Sequence, residues 1–135
     1  MFCGTGSDVG KSVIATAVCR IFKQDGMHPA PFKAQNMAPF YHLTADGKRV
    51  ARAQGVQAEA AGIKLSTDMN PLLLIPTGEK SSEVIVEGES IGIKTAMQLY
   101  AEEDRNYLRS CIQKAYNRLA KQYDPIVIEG AGSIS

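Results

Sequence analysis

The stretch that decides the fold is Gly4-Thr5-Gly6-Ser7-Asp8-Val9-Gly10-Lys11-Ser12. It follows the apolar residues 1–3 and precedes an apolar-periodic segment, which predicts a strand, a glycine-rich turn and the start of a helix. Such a turn directs backbone N–H groups and a helix N-terminus at an anion. We therefore predict a phosphate-binding loop, in which Lys11 reaches the β- and γ-phosphates of a nucleotide and the Ser12 hydroxyl holds Mg²⁺.

The spacing of this loop is one residue longer than the common pattern. That pattern has a glycine where this chain has Thr5, and the leading glycine here is Gly4. The alternative is a glycine-rich turn capped by Ser7 or Asp8, and the strand–loop–helix context favours the phosphate-binding interpretation. Three roles stay open for Asp8: ordering the loop, contacting a metal-bound water, or capping the helix.

The composition is that of an ordinary globular domain, with 135 residues of which 44% are hydrophobic and 21% charged. A total of 15 Lys and Arg against 14 Asp and Glu gives a net charge of +1, which argues against a protein that binds nucleic-acid backbones. No apolar run or signal segment indicates a membrane or secreted protein, so we expect a cytoplasmic location. The three cysteines are far apart and are expected to be buried thiols.

Apolar strands alternate with helical segments, which predicts an α/β fold with a mainly parallel sheet and helices on both faces. The predicted helices cover residues 11–25, 49–62 and 95–122. The predicted strands cover residues 28–33, 70–77, 83–87 and 126–128, and residues 34–48 are predicted to form a long loop. The core face of the first helix is predicted to consist of two apolar rows, Val13-Ala17-Ile21 and Ile14-Val18-Phe22.

Ligands of parallel sheets bind at the carboxyl ends of the strands. Lys33 follows the second predicted strand and Glu129 follows the last one, so both are expected beside the phosphate-binding loop. There Glu129 and Ser12 would hold Mg²⁺, which needs few protein ligands when phosphates also bind it. Lys33 would neutralise charge on a transferring phosphoryl group. Asp46 is a third carboxylate to consider, although an Asp-Gly pair is more typical of a turn.

Several segments resemble the N-terminal ATP-binding synthetase domain of cobyric acid synthases, in the dethiobiotin-synthetase-like branch of P-loop proteins. Beyond the loop at residues 4–12, the resemblance is carried by Phe32-Lys33-Ala34-Gln35-Asn36-Met37, Thr44-Ala45-Asp46-Gly47, Gln57-Ala58-Glu59-Ala60-Ala61-Gly62 and Val127-Ile128-Glu129-Gly130-Ala131-Gly132-Ser133. The loop is shared by many relatives. The first and third of these segments are more particular to cobyric acid synthases, and together the matching pieces span nearly the whole chain.

The resemblance implies a P-loop NTPase-like fold that is incomplete at the C-terminus. Residues 1–135 would be part of the synthetase domain, with the rest of that domain and the glutaminase domain absent. The implied activity is ATP-dependent amidation of peripheral carboxylates of adenosylcobyrinic acid a,c-diamide in cobalamin biosynthesis, through an acyl phosphate. The ammonia would come from glutamine at the missing glutaminase domain, since no cysteine here lies in a glutaminase-type nucleophile setting.

The resemblance also implies the site. ATP and Mg²⁺ would be the cofactors, with residues 4–12 around the phosphates, Lys11 and Lys33 as catalytic residues, and Ser12 and Glu129 as metal ligands. By analogy, Gln35, Asn36 and Gln54 would lie near the substrate or metal side of the cleft. The corrinoid is the expected partner, no nucleic acid or membrane is expected, and a homodimer stays open.

Two other interpretations share the predicted nucleotide site. A dethiobiotin-synthetase-like ligase or the related a,c-diamide synthase would differ only in the acceptor. A nucleotide-switch ATPase of the ParA/MinD type belongs to another functional class and is disfavoured. Such proteins carry an extra lysine early in the loop, where this chain has Gly6, and no basic or amphipathic tail is visible.

Overall fold

The computed structural model describes residues 1–3 and 10–130. Six of the predicted loop residues, Gly4 to Val9, and residues 131–135 lie outside the described residues. The helices are α1 (Lys11–Gln24), α2 (Arg52–Ala61), α3 (Ala96–Leu99) and α4 (Glu102–Ala120). The strands are β1 (Ala30–Phe32), β2 (Gln35–Met37), β3 (Tyr41–Leu43), β4 (Arg49–Ala51), β5 (Leu72–Pro76), β6 (Ser81–Val86), β7 (Glu89–Thr95) and β8 (Ile126–Ile128).

Parallel pairing joins distant parts of the chain at the centre of the molecule. β8 pairs with β1 in parallel, from Ala30 opposite Ile126 to Phe32 opposite Ile128. Phe2 forms a parallel bridge to Glu129 on the other side of β8. The segments predicted as the first, second and last strands therefore lie side by side with their carboxyl ends at one edge, although residues 1–3 form an isolated bridge and not a regular strand.

Helices cover both faces of this central pairing. Val127 of β8 belongs to a buried cluster with Ala15 and Cys19 of α1. Its neighbour Ile128 packs against a second cluster that contains Leu119 of α4. Successive side chains of a strand point to opposite faces, so α1 and α4 lie on opposite sides of β8. The predicted α/β fold with helices on both faces is confirmed.

A second sheet has the order β2-β5-β6-β7, and only its β2–β5 pair is parallel. The sequence predicted β5 and most of β6 but not β7. The turn between β6 and β7 contains Glu87 and Gly88, with φ of 47° and 87°, as a tight hairpin requires. β7 is mostly exposed. Its two alternating apolar residues, Ile91 and Ile93, are separated by Gly92 at φ 104°, and a glycine inside a strand weakens the pattern by which strands are recognised.

The predicted loop over residues 34–48 contains two strands, β2 and β3. Each has three residues, which is too short to show a period. β3 forms an antiparallel pair with β4, and β4 occupies the start of the segment predicted as the second helix. The turn between them carries Asp46, whose Oδ1 accepts a hydrogen bond from Thr44 Oγ1 at 2.5 Å. Asp46 therefore lies in a turn, the favoured interpretation.

The boundaries of α1 agree with the prediction within one residue, but its buried face does not. Ala15 and Cys19 are fully buried, whereas Val13 and Ile21 are 73% and 50% exposed. The row Val13-Ala17-Ile21 was therefore predicted wrongly as a core row. The small side chains of Ala15 and Cys19 let α1 pack closely on β8 and α2. In the second predicted row, Val18 and Phe22 pack partly buried against the same cluster, whereas Ile14 is 51% exposed.

The long helical segment predicted at residues 95–122 is divided into α3 and α4 around Tyr100 and Ala101. Of the three cysteines, Cys19 and Cys111 are buried as predicted, and Cys3 is exposed. Within residues 1–3 and 10–130, no helix has the length and apolar character needed to cross a membrane.

Candidate active site

Glu129 lies at the carboxyl end of β8, between β1 and the bridging residue Phe2. Its backbone N–H donates to the Phe32 carbonyl oxygen at 2.9 Å, which continues the β1–β8 pairing by one residue. The residue is 2% exposed. An apolar strand thus holds a buried carboxylate in a fixed position at the edge of the sheet where ligands bind.

Three side chains from separate elements donate hydrogen bonds to this carboxylate. Lys33 Nζ lies 2.6 Å from Glu129 Oε1, and Ser12 Oγ donates to the same oxygen at 2.8 Å. Gln57 Nε2 donates to Oε2 at 3.0 Å. Ser12, Lys33 and Glu129, which the sequence predicted to converge, are therefore in direct contact.

The environment of Glu129 keeps it ionised. Burial on its own would raise the pKa of this carboxyl group. The hydrogen bonds from Lys33, Gln57 and Ser12, with the positive charge of Lys33, outweigh burial and hold the pKa below its ordinary value. A negative charge is thus maintained at the floor of the site at neutral pH.

The backbone of Lys33 is held from both sides. Its N–H donates to the Met69 carbonyl oxygen at 2.8 Å, and its own carbonyl oxygen accepts from Asn70 Nδ2 at 3.0 Å. Asn70 is 1% exposed and also binds the Leu72 carbonyl oxygen. These contacts direct the lysine side chain toward Glu129 rather than into solvent.

A cleft of about 960 Å³ opens above this cluster, within the size range of small-molecule sites. Lys11, at the start of α1, lines the cleft and is 9% exposed. The other residues that line the cleft include Gly10, Ser12, Val13, Lys33, Gln35, Asn36, Met37, Ala38, Pro39, Ala53, Tyr100 and Glu129. Lys11 and Glu129 therefore share one cavity, as the sequence predicted.

The three residues predicted on the substrate side take different positions. Gln35 and Asn36 line the cleft, and Gln35 Nε2 donates to Tyr100 Oη at 3.1 Å. Gln54 is fully buried. It lies behind Asn36, whose Nδ2 donates to Gln54 Oε1 at 3.1 Å. Gln54 thus approaches the cleft through Asn36.

With this geometry established, comparison with known families identifies the domain. Residues 1–128 match the family described as CbiA: CobQ/CobB/MinD/ParA nucleotide binding domain. The chain belongs to this family. It is a nucleotide-binding domain of the CobQ/CobB/MinD/ParA type, and the cleft at the start of α1 agrees with that description.

Cobyric acid synthases are similar to this CobQ/CobB/MinD/ParA domain over its whole length. The enzyme of Phocaeicola vulgatus is 58% identical over 135 residues, which are 100% of this chain and 27% of that protein. The enzyme of Bacteroides fragilis is 56% identical over the same length, and that of Syntrophobacter fumaroxidans is 56% identical over 133 residues. The chain spans about a quarter of the length of these curated relatives. The resemblance found in the sequence is confirmed.

The donor set at the floor of the cleft fits a phosphate-bound Mg²⁺. The Ser12 hydroxyl and the Glu129 carboxylate offer oxygen atoms 2.8 Å apart, and oxygen is the ligand that Mg²⁺ prefers. Within residues 1–3 and 10–130, no three His, Cys, Asp or Glu side chains converge on a metal position. The two oxygen donors would therefore act with phosphate oxygens and water.

Two residues of this site, Gln57 and Tyr100, were not predicted from the sequence as site residues. Gln57 lies three positions after Gln54 on α2, and both are buried. Their spacing places them on one helix face, which was a usable signal. Tyr100 comes from the break between α3 and α4, and no pattern in the sequence indicates that this break reaches the cleft.

Proposed function

We propose that this chain is the ATP-binding part of a cobyric acid synthase. The enzyme would amidate peripheral carboxylates of adenosylcobyrinic acid a,c-diamide with ammonia derived from glutamine. The identity of 56–58% to enzymes of that name over 135 residues supports the assignment. The catalysed step at this chain would be ATP-dependent activation of the carboxylate, within cobalamin biosynthesis.

The observation that carries the proposal is the contact of Ser12, Lys33 and Glu129 in the cleft that Lys11 also lines. Phosphoryl transfer depends mainly on positioning and on stabilising negative charge. A hydroxyl, a carboxylate and two lysines are the groups this requires. They come from α1, the end of β1 and the end of β8, so the fold itself assembles them.

The proposed chemistry has two steps, phosphorylation of the carboxylate and displacement of the phosphate by ammonia. A carboxylate oxygen of the corrinoid attacks the γ-phosphorus of ATP, the bond from that phosphorus to the bridging oxygen breaks, and ADP leaves. Ammonia then attacks the acyl carbon, the carbon–oxygen bond to phosphate breaks, and an amide, phosphate and a proton result. Phosphorylation is needed because the oxygen of a free carboxylate is a poor leaving group.

The two lysines would have distinct roles in this scheme. Lys11, at the helix N-terminus, would bind the β- and γ-phosphates together with backbone N–H groups. Lys33 would place its ammonium group beside the transferring phosphoryl group and stabilise the charge that develops there. Ser12 and Glu129 would hold Mg²⁺, which supplies further neutralisation of phosphate charge.

The test combines nucleotide binding with product analysis. ATP is titrated into the 135-residue chain with and without Mg²⁺, and binding enhanced by Mg²⁺ is expected. The polypeptide that contains this chain is then incubated with ATP, ammonium and the corrinoid, and the products are examined by mass spectrometry. Amide formation with matching ADP release supports the proposal. Binding without amidation of the corrinoid, or carboxylation of a diamine instead, contradicts the assigned acceptor.

A further inference from the structure

A chain of buried side-chain amides connects the metal side of the cleft to its substrate side. Asn36 Nδ2 donates to Gln54 Oε1 at 3.1 Å, and Gln54 Nε2 donates to Gln57 Oε1 at 3.4 Å. Gln57 Nε2 then donates to Glu129 Oε2 at 3.0 Å. Gln54 and Gln57 are 0% and 1% exposed. We call these four residues the amide relay.

The chemistry of its last member fixes the direction of the relay. An ionised carboxylate only accepts hydrogen bonds, so Gln57 must direct its NH₂ group at Glu129. The same NH₂ group lies 3.4 Å from the Ser12 carbonyl oxygen, another acceptor. Gln57 therefore presents its carbonyl oxygen to Gln54, and a rotated amide would place oxygen against oxygen at both contacts.

The orientation of Gln57 constrains the next two members of the relay in turn. Gln54 must donate to Gln57, so its own carbonyl oxygen faces Asn36. Asn36 must then donate through Nδ2, which leaves its Oδ1 for the cleft that the residue lines. Buried amides of this kind are costly when left unsatisfied, and every link here has both a donor and an acceptor.

We infer that Gln57 and Gln54 are positioning residues that transmit the orientation set by Glu129 to Asn36. Through them the carboxylate proposed to hold Mg²⁺ also fixes Asn36 with its carbonyl oxygen toward the ligand, where it accepts from an N–H or O–H donor. The inference rests on the proposed function for the role of Glu129. Its physical content, a relay of fixed direction, is independent of nucleotide binding.

The direction of the relay is tested by moving its carboxylate. In Gln54→Glu, the new carboxylate cannot donate to Gln57, so the unfolding equilibrium constant is expected to increase about ten- to a hundred-fold at neutral pH. Adding Glu129→Gln relieves the conflict at position 129, so that the Ser12 carbonyl oxygen, 3.4 Å from Gln57 Nε2, is the one acceptor that a rotated Gln57 would still face with its own oxygen. Gln57 then rotates, donates to the carboxylate at position 54, and accepts from the amide at position 129, which still accepts from Lys33 and Ser12.

The measured quantity is the coupling in a double-mutant cycle, from chemical denaturation without nucleotide. Glu129→Gln increases the unfolding equilibrium constant by some factor in each background. We expect that factor to be at least tenfold smaller in the Gln54→Glu background than in the wild type. Gln113→Glu is the matched control, because Gln113 lies on the exposed face of α4 and donates a hydrogen bond to Asn117 of the same helix. With that control, Glu129→Gln should show less than about twofold coupling.

Repulsion through space between two carboxylates would also give a rescue, so a third substitution separates the two causes. Gln57→Met keeps the length of the side chain and removes both hydrogen bonds. If the relay carries the coupling, the coupling falls below about twofold in this background. Coupling that persists with Met at position 57 overturns the inference, as does additivity in the original cycle.

Variants that fail to fold also decide the question. If Gln54→Glu is unfolded and Gln54→Glu/Glu129→Gln folds, the rescue supports the relay. If both are unfolded, the carboxylate cannot be moved along these positions and the inference is overturned. Because every measurement is made without ATP, failure of the relay leaves the proposed function standing, and failure of ATP binding leaves the relay to be judged alone.

Discussion

Glu129 is the residue on which the polar contacts of the cleft converge, and its substitution separates metal binding from nucleotide binding. We expect Glu129→Gln to weaken ATP affinity about ten- to a hundred-fold in the presence of Mg²⁺, because a neutral amide is a poor ligand for this ion. Affinity for ATP without Mg²⁺ should change much less. Calorimetric titrations under both conditions check this. Equal losses in the two would make Glu129 structural.

Lys11 is expected to be the main fixed cation for the phosphates. Lys11→Ala should lower ATP affinity by about tenfold or more, since hydrogen bonds to charged groups contribute about 1.5–3 kcal/mol. Lys114→Ala is the matched control, because Lys114 is exposed on α4. An unchanged dissociation constant for Lys11→Ala, measured by direct titration, would refute the role of this lysine.

The lowered pKa of Glu129 has a consequence for stability. A carboxyl group whose pKa is lower in the folded state stabilises the protein above its unfolded pKa, and this contribution is lost as the pH falls through the folded value. The free energy of unfolding should therefore decrease below about pH 4.5. Asp46 and Glu83 also have lowered pKa values, but they are retained in Glu129→Gln.

The Glu129 contribution is isolated by comparing the wild type with Glu129→Gln. Denaturant titrations between about pH 7 and about pH 3 should show a difference in stability that shrinks as the pH falls. A difference that is constant across this range would mean that Glu129 has the same pKa in the folded and unfolded states.

At the scale of elements, α2 is held against β3 by a close approach at Gly55. A Cβ atom at this position would lie 2.3 Å from His42 Nδ1, closer than atoms can approach. Alanine favours a helix over glycine by about 0.5–1 kcal/mol. Gly55→Ala should therefore stabilise the protein by about that amount in a His42→Ala background, and should be destabilising or neutral in the wild type. Thermal denaturation of the four proteins checks this. The same gain in both backgrounds would contradict the packing described.

The elements that were predicted well from the sequence are those with a periodic pattern over many residues or with a continuous apolar run. α1 and α4 were found because many residues repeat one signal, and β5 and β8 because each is a continuous run of apolar residues. Tertiary contacts decide the rest. β2 and β3 have three residues each, and β7 depends on pairing with β6. The buried side of α1 is centred on the small residues Ala15 and Cys19, which permit close packing, and the larger Val18 and Phe22 are only partly buried beside them.

The residues of the candidate site likewise divide into those that could be predicted from the sequence and those that could not. Ser12, Lys33 and Glu129 could be placed together because strand ends in a parallel sheet share an edge. The relay through Gln54 and Gln57 could not, since hydrogen-bond partners 18 and 72 residues apart in sequence depend on how α2 approaches that edge.

In the whole molecule, the proposed function requires a polyphosphate and a divalent ion to lie between the start of α1 and the end of β8. The most direct test replaces Mg²⁺ by paramagnetic Mn²⁺ in the presence of ATP and follows the backbone amide signals by NMR. Signals of Ser12, Lys33 and Glu129 should broaden at low Mn²⁺, while those of Lys114 on α4 and of Gln122 just after its end should persist. Broadening that misses both Ser12 and Glu129, with ATP bound, would contradict the account.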